Sequence, residues 1–189
     1  MTWLAEKWLK WRGWQFIGEM PDLDKFILIG APHTSNWDFI VYLGAIRHWG
    51  ISPRFVGKHT LFRWPFGFFF TRFGGIPVDR DRPGGMVGQV AEEFDRSSRM
   101  ILVVAPEGTR KAAPYWKSGF ARIAAAARVP IVPVYIDYPA KKLVLGDPIS
   151  YFGDEKELMD QLRVFFQPGV GKDRQGKGPV RLKEERRSV

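Results

Sequence analysis

In HTSNWD, residues 33 to 38, a histidine stands five positions before an aspartate, in a chain that has three histidines in all. Histidine exchanges protons near neutral pH, and a carboxylate on one ring nitrogen fixes the tautomer and leaves the other nitrogen free to act as a base. The same two residue types also serve as metal ligands, or as ordinary polar groups at a helix start, and the bare H-x-x-x-x-D pattern does not choose among these. His48 and His59 are poorly spaced to complete a zinc site, so no metal is expected. The chain has no cysteine and no G-x-S-x-G elbow, so a base at His33 would act on a hydroxyl that the substrate brings. Two further polar groups stand out: Arg80, and the run Glu107-Gly108-Thr109-Arg110. Guanidinium groups pair with phosphate oxygens, and backbone N–H groups around Gly108 suit an anion or a developing oxyanion. Either arginine taken alone reads more readily as a surface ion pair.

These groups matter only if the fold gathers them. Phe26–Gly30 (FILIG) is a short apolar run ended by glycine and predicts a buried strand. HTSNWD follows it, with Ser35 or Asn36 placed to cap a helix that continues as FIVYLGAIRHW to about Gly50. Arg54–Gly57 predicts a second strand, and IPVDR, after Gly74 and Gly75, a third that ends in Arg80. Met86, Val90 and Phe94 mark one face of a helix running to about Ser97. Met100–Ala105 (MILVVA) is a fully apolar strand, and PEGTR follows it directly. An alanine-rich helix is expected over residues 115–128, then a strand IVPVYI made less regular by Pro133, a brief strand near Leu143–Leu145 and a helix near 154–166. Alternating strands and helices, with strands apolar on both faces, predict a single α/β domain over residues 1–166 with a mainly parallel central sheet covered by helices. In such sheets ligands gather at the carboxyl ends of the strands, which is where His33, Arg80 and Glu107–Arg110 fall. The basic tail, 167–189, is expected to be loose.

The chain is 189 residues long with a net charge of +9 and 15% aromatic residues, including eight tryptophans. Basic and aromatic together suit an anionic partner with apolar surroundings, a phospholipid surface or a single-stranded nucleic acid. No nucleic-acid motif accompanies them, so nucleic acid is not expected as a partner. In residues 1–17, Trp3, Leu4, Trp8, Trp11 and Trp14 recur at helical intervals with Lys7, Lys10 and Arg12 among them. This predicts an amphipathic helix able to lie in a headgroup layer or to pack on its own domain. Residues 61–73, LFRWPFGFFFTRF, are dense in phenylalanine and bracketed by Arg63 and Arg72, as a buried segment or as an exposed contact patch. No stretch reaches the roughly eighteen uninterrupted apolar residues of a spanning helix. The chain is not expected to cross a membrane but can lie on one, and a peripheral location on the cytoplasmic side is the expectation.

Taken together, the motifs resemble those of the glycerolipid acyltransferases of the lysophosphatidic acid type. His33 to Asp38 is similar to the family's histidine, four residues, aspartate motif. GGIPVDR is similar to its apolar strand ending in arginine, PEGTR at 106–110 to its third motif, and VPIVPV at 129–134 to its fourth. Lys58, Leu61, Pro65 and Gly67 fit its K-x-x-L-x-x-x-P-x-G pattern. Pro32 stands where an asparagine commonly precedes the histidine, and Lys111 where a serine often follows the arginine. The resemblance implies a dyad in which His33, held by Asp38, deprotonates a glycerol hydroxyl for attack on an acyl thioester. The donor would be acyl-CoA or acyl carrier protein, and no further cofactor is implied. Arg80, Glu107, Gly108, Thr109, Arg110 and Lys58 would bind substrate, the default acceptor being 1-acylglycerol-3-phosphate. A non-catalytic lipid-surface protein of the same fold is the alternative; it accounts for the tryptophans and the charge but not for base, acid and arginines following strands.

Overall fold

The computed structural model describes residues 2–62, 67–79 and 85–187. In chain order its elements are α1 (Thr2–Trp11), β1 (Gln15–Ile17), β2 (Lys25–Ala31), α2 (Asp38–His48), β3 (Phe55–Lys58), α3 (Gly67–Arg72), β4 (Gly75–Val78), α4 (Gly85–Arg96), β5 (Met100–Val104), α5 (Gly119–Ala127), β6 (Ile131–Asp137), β7 (Lys142–Leu145) and α6 (Glu155–Phe166). Five strands pair in the order β1-β7-β6-β2-β5, and β3 pairs with β4 in a ribbon beside them. Arg54 joins the two: its N–H donates to the Ile101 carbonyl and its carbonyl accepts from Val103. The β6-β2-β5 pairs and the β3-β4 ribbon are parallel, while β7 runs antiparallel to β6. The expected α/β architecture with a mainly parallel, helix-covered sheet is what forms.

The strands are apolar on both faces because each face is covered. Along β2, Ile27, Ile29 and Ala31 point into a core shared with Val90 and Phe94 of α4, Phe120 and Ile123 of α5, and Leu158 and Leu162 of α6. The alternate residues Phe26 and Leu28 point the other way, into a core with Leu9 of α1 and Val41 and Ala45 of α2. This period of two, doubled by burial on each side, turns an alternating pattern into a continuous one. At 25 cal/mol per Å2 or so of apolar surface, each such side chain contributes on the order of 2 kcal/mol. Helices α1 and α2 cross closely; a Cβ on Gly44 would overlap Leu9 Cδ1.

Pro133 does not disturb β6. Its carbonyl accepts from Gly146 N–H, on the side where β7 has just ended at Leu145. In a strand the N–H and C=O of one residue face the same way, so the missing donor falls beyond the ladder and costs no bond to β2.

Several expectations are corrected. The N-terminal helix stops at Trp11, and residues 15–17 form edge strand β1 against β7. Trp14 is therefore off the helix, half-buried and edge-on to Tyr138 at 5.1 Å, while Trp3, Leu4, Trp8 and Trp11 are exposed. Neither Ser35 nor Asn36 caps α2, which begins after Trp37 without a side-chain cap. The segment after Gln167 is not loose: Leu182 is fully buried, Trp116 bridges to Leu182, and Asp137 bridges to Val170. Lys177 Nζ donates to the carbonyls of Phe166, Gln167 and Gly169 and so closes the C-terminal end of α6. Polar and glycine-rich composition misled because a few buried side chains and backbone contacts anchor the segment. In the phenylalanine-rich stretch, Phe62 and Phe70 pack together and Phe68 and Phe73 are exposed. Arg63 and Pro65 lie outside the described residues.

Candidate active site

Parallel pairing puts the carboxyl ends of β2, β5 and β6 side by side, and the polar groups that follow them meet there. After β2 comes His33, whose Nδ1 lies 2.9 Å from Asp38 Oδ2. An ionised carboxylate only accepts, so Nδ1 carries the hydrogen and Nε2 keeps its lone pair. Nε2 has no hydrogen-bond partner among the described residues. The imidazole is about a third exposed and the carboxylate only 11%, so the carboxylate is the more enclosed of the two.

Asp38 is saturated with donors. Oδ2 also accepts the backbone N–H groups of Thr34 and Ser35, at 2.8 and 3.0 Å. Oδ1 accepts the Tyr138 hydroxyl at 2.6 Å. Burial alone would raise the Asp38 carboxyl, but the hydrogen bonds from His33, Tyr138, Ser35 and Thr34 outweigh it and hold the group below the usual aspartate range. The tight Thr34–Ser35 turn over Asp38 thus takes the place of the expected helix cap. Burial, then the bond to Asp38, pushes the Tyr138 phenol well above its ordinary range, so it remains a donor.

After β5 comes Glu107, which takes a different place from that expected. Its carboxylate is buried, 3% exposed, and accepts the His33 backbone N–H at 2.6 Å. It pins the histidine's main chain rather than presenting itself to a substrate. Burial pushes its carboxyl up from 4.5 to about 7, against the His33 hydrogen bond. Gly108, at φ 65°, makes the turn that follows, and its N–H donates to the Ala105 carbonyl. Thr109 and Arg110 are exposed, and the Thr109 hydroxyl accepts from Lys111 N–H. Gly176 is wedged between the Arg110 carbonyl and Thr34, which sets the backbone of Arg110 beside the histidine loop. Lys58 is exposed at the end of β3, on the ribbon, and makes no hydrogen bond or ion pair to His33 or Asp38. Arg80 lies outside the described residues.

Tyr138 went unnoticed in the sequence. The signal available was its position, the first residue after the carboxyl end of β6, where an apolar strand closes on a polar aromatic.

The Acyltransferase family model matches residues 18–137, more than half of the chain and inclusive of both His33–Asp38 and Pro106–Arg110. The chain belongs to the acyltransferase family. Among curated relatives of this acyltransferase, the 1-acyl-sn-glycerol-3-phosphate acyltransferase of Escherichia coli (strain K12) is 29% identical over 61% of the chain, and the chain spans about half (49%) of that relative's length. The enzyme of the same description from Bacillus subtilis (strain 168) is 28% identical over 67% of the chain and 68% of its own length. Among solved structures, the 1-acyl-sn-glycerophosphate (LPA) acyltransferase PlsC from Thermotoga maritima shares the fold. Its TM-score is 0.60 at 21% identity, over 87% of this chain and 76% of that one. Helix α1, Tyr138 and everything after it fall outside the family match.

Proposed function

We propose that this acyltransferase moves a fatty acyl group from acyl-CoA or acyl carrier protein to the free hydroxyl of a lysophospholipid, with 1-acylglycerol-3-phosphate as acceptor. One observation carries the reading: an imidazole whose Nδ1–H is tied to a buried carboxylate and whose Nε2 has no hydrogen-bond partner among the described residues, in a chain without cysteine. No Ser, Thr or Tyr hydroxyl bonds to the His33 ring among the described residues. A base without an enzyme nucleophile suits direct transfer to a bound alcohol. Nε2 removes the acceptor's hydroxyl proton as its oxygen bonds to the thioester carbonyl carbon. When the tetrahedral intermediate collapses, the C–S bond breaks and the imidazolium returns the proton to the departing thiolate. Asp38 stabilises the imidazolium between the two transfers. Exposed Arg110, with Arg80, Lys58 and the exposed Gly108–Thr109 turn, supplies charge and donors for the acceptor's phosphate, the Gly108 N–H itself being held by the Ala105 carbonyl. Glu107 serves the same site by holding His33.

The surroundings support an acceptor that stays in a bilayer. No helix among the described residues is long and apolar enough to cross a membrane, yet Trp3, Leu4, Trp8 and Trp11 of α1, and Trp37 and Phe39 at the start of α2, are all exposed. Trp8 stacks on Trp37 at 6.1 Å, and Lys7 and Lys172 sit over Trp3 and Trp37. Trp37 immediately precedes Asp38, so the Trp8–Trp37 pair adjoins the dyad and would bring it to a lipid surface. A peripheral position on the cytoplasmic side, where thioester donors are made, follows from this reading.

The test is acyl transfer by purified protein from acyl-CoA or acyl carrier protein to a panel of lysolipids in vesicles, with products identified by mass. Diacylated product from wild type and none from a folded His33→Ala variant is expected. Full activity in that variant rejects the dyad. A wild type that binds vesicles but consumes no thioester rejects the enzyme.

A further inference from the structure

The segment GVGKDRQGK, residues 169–177, lies beyond the family match and plays no part in the chemistry above. Its glycines meet the loop that carries His33. A Cβ on Gly169 would lie 3.2 Å from Pro32 Cδ and 3.2 Å from Tyr135 Cβ. A Cβ on Gly171 would fall 2.6 Å from Thr34 Cγ2 and closer still to Thr34 Oγ1, and one on Gly176 would be 3.0 Å from Thr34 Cβ. Between them the Asp173 N–H donates to Thr34 Oγ1 at 3.2 Å. Thr34 itself is 6% exposed, and its own N–H is one of the donors to Asp38. Both ends of the segment are anchored: Val170 N–H donates to the Ile136 carbonyl, and Lys177 closes α6.

We infer that residues 169–177 form a strap that positions the base: Gly171 and the Asp173 N–H set Thr34, and Thr34 sets the contact between His33 and Asp38. The strap acts through Thr34 and does not touch substrate, so Gly171 and Thr34 are positioning residues. A loop displaced by less than an ångström disturbs an aligned donor–acceptor geometry while leaving the substrate contacts of Arg110 in place. The inference rests on the transfer reaction proposed above for its kinetic readout only.

The experiment compares Gly171→Ala, Thr34→Val, Thr34→Ala, the double variant Gly171→Ala/Thr34→Ala, and Gly88→Ala as a control whose added methyl meets nothing within 4 Å. Gly171→Ala is expected to lower kcat by roughly 10- to 100-fold with acceptor KM within about twofold. Thr34→Val keeps the volume and removes the acceptor of the Asp173 N–H, for a smaller loss of roughly fivefold. Removing the Thr34 side-chain atoms that the new methyl strikes should bring the double variant back to within about threefold of Thr34→Ala alone. In parallel, 15N NMR of the imidazole reads the His33 tautomer, Nδ1–H in wild type and shifted toward a mixture in Gly171→Ala. If Gly171→Ala does not fold, Thr34→Val and its tautomer decide the matter. A lowered Tm with unchanged kcat and unchanged tautomer overturns the strap. A wild type that transfers no acyl group, with the tautomer shift still present, rejects the proposed reaction and leaves the strap standing.

Discussion

Replacing Asp38 by asparagine isolates the charge of the carboxylate from its scaffolding. Oδ2 accepts three N–H donors, from His33, Thr34 and Ser35, whereas Oδ1 meets a single hydroxyl, that of Tyr138. An amide that puts its oxygen in the Oδ2 position keeps all three N–H bonds, and its NH2 can donate to the Tyr138 oxygen once the phenol rotates. Loop, tautomer and fold should all survive, and only the negative charge disappears. The contacting atoms are 2.9 Å apart; with both charges spread over their groups and an effective dielectric of about 20, that charge stabilises an imidazolium by about 4 kcal/mol. The imidazole is about a third exposed, and solvent screening brings the figure to about 3 kcal/mol, on the order of 100-fold in kcat. Thiol release from acyl-CoA follows the reaction directly with a thiol-reactive chromophore, because the protein has no cysteine to contribute background. A kcat within about threefold of wild type in Asp38→Asn would show that the carboxylate's charge plays no part in the rate. Asp38→Ala, which also strips the partners from two backbone N–H groups, should lose more activity and measurable stability.

Tyr138→Phe removes one hydrogen bond to a carboxylate, about 1.5 kcal/mol, and should lower kcat roughly tenfold with the fold intact by circular dichroism. Glu107 has a folded-state value of about 7 against an ordinary 4.5, so the folded protein holds the proton more tightly. The stability this contributes is complete below pH 4.5 and is lost as pH rises through about 7, about 3 kcal/mol in all. Urea midpoints should fall over that window, and Glu107→Gln, which still accepts the His33 N–H, should flatten the trend. Asp38 has the opposite sign: its contribution is present above its unfolded value and is lost as pH falls through its depressed folded value. Leu182→Ala should destabilise the whole protein by about 3 kcal/mol, read as a shift in thermal midpoint, because the side chain is fully buried although the segment reads as a tail.

The parts of this protein visible in its sequence are those set by neighbours along the chain. FILIG and MILVVA announce buried parallel strands because burial on both faces removes polar residues from either side. The contact between His33 and Asp38 is foreseeable because five residues suffice to turn from a strand end into a helix. The parts that were not visible depend on what arrives from elsewhere. Tyr138 reaches Asp38 across 100 residues of chain, and no local pattern records that partnership. Glu107 belongs to a motif that suggests substrate contact, yet the register of β2 against β5 brings its carboxylate to the backbone of His33. Trp14 shares the helical spacing of its neighbours, but Gly13, at φ 83°, turns the chain and hands Trp14 to Tyr138.

By itself, then, the sequence determined the alternation of strand and helix, the edge of the sheet to which His33 and Glu107 are brought, and the family. These follow from local periodicity and from short motifs whose residues are close in the chain. Only the tertiary structure decided which oxygen of Asp38 faces the imidazole, which side chains hold that pair, and that a glycine-rich tail is packed against it. Such contacts depend on shape and distance between segments far apart in sequence, and composition carries no record of either.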